Sequence, residues 1–398
     1  MMSAFGLLSH QVRFFSRCTY SAMKQRSLPA SYYRGGTSRA IMFRQEDLPT
    51  SRDEWPSIFR AAIGSPDPNG RQLDGMGGGI SSLSKICVVG PSSHPDADVD
   101  YTFAAIGVRD DEVDFSSNCG NMTSAIGPFA VDSGLANAGE TTGTSEATVR
   151  IHNTNTGKLI HSTFPVEDGE AVAGGDFTID GVSGTASKIN LAFLDPAGSK
   201  TGKLLPTGNV VDEFDTVRAT CIDVGNPCVF VRAADLDVEG SILPDEIEAH
   251  PTLLKRLDSI RRQGAVAMGL CKDPASAPGS IPKIAMLSSP TPHLLLSGQQ
   301  LGKKDVDLVA RALSVGQAHK AVPITVALAL AAASKMRGSM VHEVTSKDPV
   351  DRDGITIGHS SGRLLVNAQF NSQGNITSAS LFRTARRLME GRVFWKPQ

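Results

Sequence analysis

The chain has 398 residues, which is enough for two domains or one two-lobed body. Its formal net charge is −2, so it lacks the basic excess that nucleic-acid binding needs, and no nucleic-acid partner is expected. No stretch approaches the about 18 consecutive apolar residues of a membrane-spanning helix, so no membrane partner is expected either. Six cysteines without CxxC or zinc-ligand spacing are expected to be reduced thiols, and no metal site is predicted.

The N-terminal segment differs in composition from the rest of the chain. It has several serines and no acidic residue before Glu46. Its basic residues are Arg13, Arg17, Lys24 and Arg26. Residues 1–26 are therefore predicted to be a mitochondrial transit peptide. The competing interpretation is a disordered or alternatively started N-terminus, with Met23 opening a cytoplasmic protein.

From Ser31 onward, short β-branched runs alternate with glycine-rich turns and a few helical stretches, which predicts an α+β fold. The predicted strands are Ala40–Phe43, Lys85–Val89, Asp98–Phe103, Thr148–His152, Val217–Asp223, Cys228–Arg232, Lys283–Leu287 and Leu364–Phe370. The predicted helices are Arg52–Ala62, Met122–Ser133, Pro244–Glu248, Pro251–Met268 and Ala318–Lys335.

Three patterns occur twice in the same order, at offsets of about 190 to 200 residues. In the first half they are GGTSRAIMF, SKICVVG and NCGNMTSAIGPFAVDSG, and in the second half VGNPCVFV, PKIAMLS and AHKAVPITVALALAAAS. The repeat predicts two pseudo-symmetric lobes, residues 27–190 and 191–374, with residues 375–398 returning to the first lobe. Equivalent helix N-termini would then face each other across a cleft, where their unpaired N–H groups attract carboxylates.

Cys119 lies at the predicted start of the helix that follows NCGN. The positive end of a helix dipole favours a negative charge, so Cys119 is a candidate for a reactive thiol. Gly120 would let a ligand approach the backbone, and Asn121 offers both a donor and an acceptor. The competing interpretation is a cysteine that behaves as a small buried hydrophobic residue.

The segment DGMGGGISSLSK leads into a strand whose first residue is Lys85. It lacks the GxxxxGK[ST] spacing of a phosphate loop, so a nucleotide site is not predicted. We expect a flexible, N–H-rich loop from which the Lys85 amine points at the cleft, although a solvated lysine at a strand end would have the same sequence. No G-x-S-x-G elbow or dinucleotide fingerprint is present, which weakens the hydrolase and dehydrogenase interpretations.

The segment RGGTS combines a guanidinium, two glycines and two hydroxyls at a turn, which suits a carboxylate. The turn at Asn226 is its counterpart in the second half, and either could be ordinary turn chemistry. His319 falls, by this alignment, at the position equivalent to Cys119. The residues predicted to bind a ligand are Arg34, Gly35, Gly36, Thr37, Ser38, Ser82, Ser84, Gly120, Asn121, Asn226, Lys283 and His319.

Six ordered motifs carry a resemblance that covers the chain from about Ser31 to its end: RGGTSRAIMF, DGMGGGISSLSK, DVDYTFAAIGV, DFSSNCGN, TGKLLPTGN and VGNP. Together they resemble the PrpF-type family of 2-methylaconitate and methylitaconate isomerases. The resemblance implies a diaminopimelate epimerase-like fold of two pseudo-symmetric lobes, each a curved sheet around a long helix. It also implies a cofactor-independent isomerase of unsaturated tricarboxylates whose catalytic pair is Lys85 and Cys119.

The racemases of the wider fold carry a second thiol at the equivalent helix of the other lobe. Here that position is occupied by His319, so two-thiol racemisation is not expected, and Cys228 is a poor substitute because the VGNP turn is associated with binding in the family. For a double-bond shift, a proton must leave one carbon of the allyl unit and return to another. Which of Lys85 and Cys119 is the base stays open at this point.

Two other functions stay open from the sequence alone. One is an amino-acid epimerase or racemase of the same fold. The other is a non-catalytic accessory protein to an aconitase-like dehydratase. A homodimer is an open alternative to a monomer.

Overall fold

The computed structural model describes residues 24–115, 118–137, 143–314 and 316–396. Within those ranges the protein has the predicted α+β architecture, with strands in large excess over helices. The helices are α1 (Trp55–Ile63), α2 (Gly120–Asp132), α3 (Pro244–Ala249), α4 (Leu253–Ala267), α5 (Ile324–Ser334) and α6 (Met340–Val344). All five predicted helices are therefore confirmed as elements, although α5 begins later than predicted.

Strands make up most of the described chain. The strands of the first half are β1 (Arg26–Gly35), β2 (Ser38–Arg44), β3 (Lys85–Pro91), β4 (Val99–Ile106), β5 (Val113–Asp114), β6 (Thr144–Asn153), β7 (Lys158–Glu167), β8 (Glu170–Ala171) and β9 (Ile189–Leu194). Those of the second half are β10 (Asp212–Phe214), β11 (Val217–Val224), β12 (Asn226–Arg232), β13 (Lys283–Ser288), β14 (His293–Leu294), β15 (Gln300–Leu301), β16 (Leu308–Ser314), β17 (Gln317–Ala318), β18 (Ile355–His359), β19 (Gly362–Phe370), β20 (Ile376–Arg383) and β21 (Ala385–Trp395). The eight predicted strands correspond to β2, β3, β4, β6, β11, β12, β13 and β19.

The same strand pattern occurs once in each half of the chain. In the first half, the hairpin β1–β2 is followed by parallel β2–β3, antiparallel β3–β4, parallel β4–β6 and antiparallel β6–β7. In the second half, the hairpin β11–β12 is followed by parallel β12–β13, antiparallel β13–β16, parallel β16–β18 and antiparallel β18–β19. The two pseudo-symmetric lobes expected from the repeat are therefore confirmed.

The lobes are joined through strands that lie late in each half. Strand β9 pairs with both β7 and β20, and β20 pairs with β19, so one sheet continues from lobe to lobe. After β20 the chain returns to the first lobe, where β21 pairs antiparallel with β1 from Arg26↔Trp395 onward. The lobe boundaries at residues 190 and 374 stay predictions. So does the transit peptide, whose residues 1–23 lie outside the described residues, whereas Arg26 is already part of β1.

Each lobe curves around one central helix that is buried on all sides. Every residue of α2 from Met122 to Val131 and every residue of α5 from Val326 to Ser334 is buried. Helices without a polar face are stable only when they are enclosed, which explains why the two least amphipathic segments form the centres of the lobes. No helix within the described ranges has the length and apolar character needed to cross a membrane.

We expect Gly127 on α2 to tolerate no larger residue. A Cβ at Gly127 would lie 2.5 Å from Ser162 Oγ and 2.6 Å from Phe164 Cε1 on β7. Helix propensity alone would favour alanine by about 1 kcal/mol, but the overlap is expected to outweigh it and lower the free energy of unfolding by about 1–3 kcal/mol. Urea denaturation of Gly127→Ala measures this, with Gly174→Ala, whose Cβ meets open space, as the control. A Gly127→Ala protein more stable than the wild type would contradict this packing.

The predicted helix Ala318–Lys335 is wrong over its first six residues. The helix begins at Ile324, and Pro323 is its N-cap. A proline cannot donate to the preceding turn and disfavours helical geometry in the residue before it, so the segment ahead of Pro323 cannot continue the helix. That segment instead contributes Gln317–Ala318, which pair with the end of β16.

Candidate active site

Each lobe places the turn of one hairpin, β1–β2 in the first lobe and β11–β12 in the second, against the first turn of its central helix. In the first lobe, Gly36 has φ +52°, and Asn121 Nδ2 donates a 3.1 Å hydrogen bond to Thr37 Oγ1. A Cβ at Gly35 would lie 2.6 Å from the Asn121 carbonyl oxygen, so only glycine permits this approach. In the second lobe, Gly225 has φ +71° and faces Thr325, the second residue of α5. The RGGTS and VGNP turns are thus structurally equivalent.

The starts of the two central helices meet between the lobes. A Cβ at Gly120, the first residue of α2, would overlap Cδ1 of Ile324, the first residue of α5. The N-caps are Cys119 and Pro323, and neither side chain accepts a hydrogen bond from its helix. Among the described residues, therefore, no N-cap side chain covers the first N–H groups of either helix, and the two positive dipole ends converge. This arrangement favours carboxylate oxygens between the lobes.

The alignment of His319 with Cys119 is wrong. Pro323 takes the N-cap position of α5 that Cys119 takes in α2. His319 lies four residues earlier in an exposed segment, and its backbone N–H donates to Ala312 O. The second lobe nevertheless lacks a thiol at the equivalent position, and proline supplies no acid or base at all.

Lys85 is the first residue of β3, as predicted, and only 8% of its surface is exposed. Side chains alternate along a strand, so Lys85 shares the side of Cys87 and Val89, which pack in the cluster around α2. Its Nζ lies 5.3 Å from the centre of the Phe103 ring. No carboxylate among the described residues forms an ion pair with it. The amine is therefore buried on the helix side of the sheet without a fixed counter-ion.

Cys87 links Lys85 and Cys119 electrostatically. Burial raises the pKa of the Cys87 thiol, the neighbouring Cys119 adds to the rise, and the Lys85 charge opposes it. Burial also raises the pKa of Tyr101, whose hydroxyl accepts from Cys87 Sγ at 3.8 Å. Lys85 and Cys119, the two predicted catalytic residues, thus both influence the pKa of the buried Cys87 thiol. Cys87 and Tyr101 are buried, and their raised pKa values keep them protonated. Cys119, by contrast, is partly exposed.

The second lobe holds Lys283 at the place that Lys85 takes in the first. Lys283 begins β13 and shares the side of Ala285 and Leu287, which pack in the cluster around α5. Its parallel partner is Cys228, which is fully buried. Burial raises the pKa of Cys228 to about 12, although the Lys283 charge opposes the rise. Cys228 is therefore a core thiol, and Asn226 begins the same strand at the VGNP turn.

Several predicted ligand-binding residues hold loops together. Arg34 Nη1 donates to Gly36 O and to both Thr384 O and Oγ1, which fastens the RGGTS turn to the turn between β20 and β21. Ser84 Oγ donates to Gln72 Oε1 at 2.7 Å. Ser38 is buried opposite Gly35 in the hairpin, and Ser82 is partly exposed in a short 3₁₀ turn. The predicted residues that the structure brings together at the helix start are Gly35, Gly36, Thr37, Gly120 and Asn121.

The glycine-rich loop ahead of Lys85 is fastened from inside rather than open to the cleft. Gln72 is buried, and its Oε1 accepts from Gly79 N and Ser84 Oγ while its Nε2 donates to Ser65 Oγ. The N–H of Gly77 donates to Ile63 O at the end of α1. These N–H groups are therefore committed to the fold, which differs from the flexible, N–H-rich loop expected from the sequence.

Arg383, at the end of β20, is the main site residue that the sequence reasoning missed. Its Nε donates to Asn121 Oδ1 at 3.2 Å, and its Nη1 donates to Phe382 O. Enclosure of the guanidinium by protein lowers the pKa of Arg383 to about 10. The signal in the sequence was an arginine that ends a strand of small and apolar residues. Two further arginines within four residues obscured it.

Comparison with known proteins places the chain in a family. Residues 25–396 match the sequence profile of the family described as PrpF protein. The 3-methylitaconate isomerase of Eubacterium barkeri is 39% identical over 93% of this chain and 97% of its own length. The 2-methyl-aconitate isomerase of Cupriavidus necator is also 39% identical, with the same coverage.

A solved structure supports the same relationship. The crystal structure of a methylitaconate-delta-isomerase superposes with a TM-score of 0.85 at 39% identity, covering 94% of this chain and 96% of that one. Sequence and fold thus agree over nearly the whole chain. The chain belongs to the PrpF protein family and is an enzyme of the isomerase class.

Proposed function

We propose that the protein is a cofactor-independent isomerase of an unsaturated tricarboxylate, namely aconitate, 2-methylaconitate or a close alkyl relative. It would move the C=C bond, or change its geometry, by removing a proton and returning it. The name of one relative, a 2-methyl-aconitate isomerase, supports this substrate class, and the name of another, a 3-methylitaconate isomerase, supports double-bond isomerisation of a related unsaturated dicarboxylate. In this proposal Lys85 and Cys119 transfer the proton.

The observation that carries the proposal is the buried Lys85 amine on the helix side of β3. Its charge acts on the Cys87 thiol, which also interacts with Cys119. An amine without a carboxylate partner can take or give a proton without breaking an ion pair. General acid–base transfer by positioned groups contributes about 10²–10⁴-fold to a rate. Two such groups on one face of an allyl unit suffice for a double-bond shift.

The proposed intermediate is a dienolate, whose charge spreads onto a substrate carboxylate. Preorganised N–H donors stabilise such a charge, and losing one donor costs about 10²–10³-fold in comparable sites. The proposed donors are the N–H groups at Gly120 and Asn121, which the N-cap side chain of Cys119 leaves uncapped, with Thr37 beside them. Asn226, Lys283 and His319 are proposed to contact the substrate from the second lobe.

A racemase of the same fold is disfavoured by Pro323. Such an enzyme needs an acid or base at the start of each central helix, and proline at the N-cap of α5 provides neither. The buried Cys228 does not replace it, because its thiol is held protonated. A non-catalytic accessory role would leave the Lys85 and Cys119 arrangement without a purpose.

Proton NMR of the purified protein in D₂O tests the proposed reaction. The samples contain cis-aconitate, trans-aconitate, 2-methylaconitate or 3-methylitaconate. We expect at least one acid to form an isomeric product that carries deuterium, and the deuterated position identifies where the proton returns. No product and no exchange with any acid would contradict the proposal, and exchange into proline or diaminopimelate instead would indicate a racemase.

Assembly and compartment belong to the proposal as well. A homodimer in solution is tested by light scattering on the purified chain. A mitochondrial location, with the cytoplasm as the alternative, is tested by imaging a C-terminal fluorescent fusion with and without residues 1–23.

A further inference from the structure

Arg383 is a half-buried cation that forms no ion pair with any described carboxylate. Other arginines of the protein pair with acids, as Arg150 does with Asp98 and Arg218 with Glu343. Arg383 forms no ion pair within the described ranges, and its Nη2 has no hydrogen-bond partner there. A half-buried guanidinium without a counter-ion has N–H donors available for an anionic ligand.

The neighbours of Arg383 present donors toward the same place. Asn121 Oδ1 accepts from Arg383 Nε while Asn121 Nδ2 donates to Thr37 Oγ1. The Thr37 hydroxyl is thereby used as an acceptor, and its own proton is free for a further partner. The uncapped first turn of α2 adds backbone N–H groups at Gly120 and Asn121. The hydrogen-bonded side chains of Thr37, Asn121 and Arg383 thus offer several donors and include no carboxylate.

A cavity extends to Arg383, one of these hydrogen-bond donors. Arg383 lines a cavity of about 350 Å³ together with the segment of residues 176–180. That segment leads to Gly181, where a Cβ would lie 3.2 Å from Thr37 Cγ2, so the cavity borders the Thr37 side of the site. Two of the three acids in its wall are already engaged, since Asp180 accepts from Arg363 and Asp351 pairs with Lys188, whereas the third, Asp176, is exposed to solvent. An incoming carboxylate would therefore find Arg383 as the cation without a partner.

We infer that Arg383 is a carboxylate-binding residue, which anchors one carboxylate of the substrate where the cavity meets Thr37 and Asn121. This inference rests on the proposed function for the identity of the ligand. Arginine offers two parallel N–H donors that match a carboxylate, which a lysine at the same place cannot reproduce. Held there, the substrate would have its allyl unit next to the start of α2, where Cys119 lies.

Binding of tricarballylate, a saturated tricarboxylate that has no double bond to move, tests Arg383 apart from catalysis. Calorimetry is done on the full chain, on Arg383→Gln, on Arg383→Lys, and on Arg386→Gln as a matched control for the loss of one exposed charge nearby. We expect Arg383→Gln to weaken binding by about 10²-fold or more, Arg383→Lys by less, and Arg386→Gln by under about threefold. Added guanidinium chloride is expected to restore part of the affinity of Arg383→Gln only, which a merely structural role would not produce.

The outcomes separate the two proposals. A wild type that turns over an unsaturated acid while a folded Arg383→Gln keeps full affinity for tricarballylate overturns the Arg383 site alone. A wild type that binds tricarballylate through Arg383 but isomerises none of the acids overturns the proposed reaction alone. A wild type that isomerises an unsaturated acid but does not bind tricarballylate overturns the Arg383 site, and one that does neither overturns both. Thermal unfolding of each variant verifies folding, and if Arg383→Gln is unfolded, Arg383→Lys decides: wild-type affinity in a folded Arg383→Lys overturns the Arg383 site.

Discussion

Replacing Cys119 with serine is expected to lower the isomerisation rate by about 10²–10⁴-fold. A hydroxyl is a far weaker acid than a thiol, so serine can neither give nor take the proton at a useful rate. The fold should survive, because Cys119 is only partly buried and its side chain caps no helix N–H. Turnover and deuterium incorporation are followed by proton NMR in D₂O. Deuterium exchange that persists in Cys119→Ser without product would identify Lys85 as the base.

The matched control for this variant is Cys271→Ser. Cys271 is also a free, partly exposed cysteine, but it follows α4 in the second lobe, away from the meeting point of α2 and α5. We expect its activity to stay within about twofold of the wild type. Alkylation gives a second readout: iodoacetamide should inactivate the wild type and Cys271→Ser at equal rates, and substrate should slow this. Full activity in Cys119→Ser would exclude the thiol from the reaction.

The parts of the site that the sequence predicts are those that depend on the residues next to them in the chain. An apolar run directly after Cys119 predicts a helix start there, and β-branched residues directly after Lys85 predict a strand start. Both placements hold in the structure. The repeat then predicted that equivalent turns and helices meet between the lobes, since duplicated elements must occupy equivalent places. The contact of Gly120 with Ile324 is the physical result of that symmetry.

The parts that were missed depend on contacts between distant residues or on a single proline. The similar polar tripeptides align His319 with Cys119, whereas Pro323 decides where the helix begins. Arg383 meets Asn121 from 262 residues along the chain, and only the path of β20 between the lobes brings them together. Gln72 could not be placed either, because its hydrogen bonds depend on how the glycine-rich loop folds back. Side-chain networks of this kind leave no periodic pattern in a sequence.

Replacing Lys85 with methionine is expected to separate stability from activity. Methionine keeps most of the length and apolar stem of lysine but removes a charge that is 8% exposed and has no described carboxylate partner. Removing an unpaired buried charge relieves its desolvation, so the free energy of unfolding should stay the same or rise by about 1 kcal/mol or more. Catalysis should fall by about 10²–10⁴-fold.

Lys158→Met is the matched control, because Lys158 also begins a strand, β7, and also forms no ion pair among the described residues. It should change neither activity nor stability by much, since its amine is not enclosed in the site. Urea denaturation and NMR turnover are measured on the same samples. A Lys85→Met protein that loses stability together with activity would mean that the ammonium group holds the fold. A more stable but inactive protein would mean that the fold bears the cost of burying Lys85 for the sake of proton transfer.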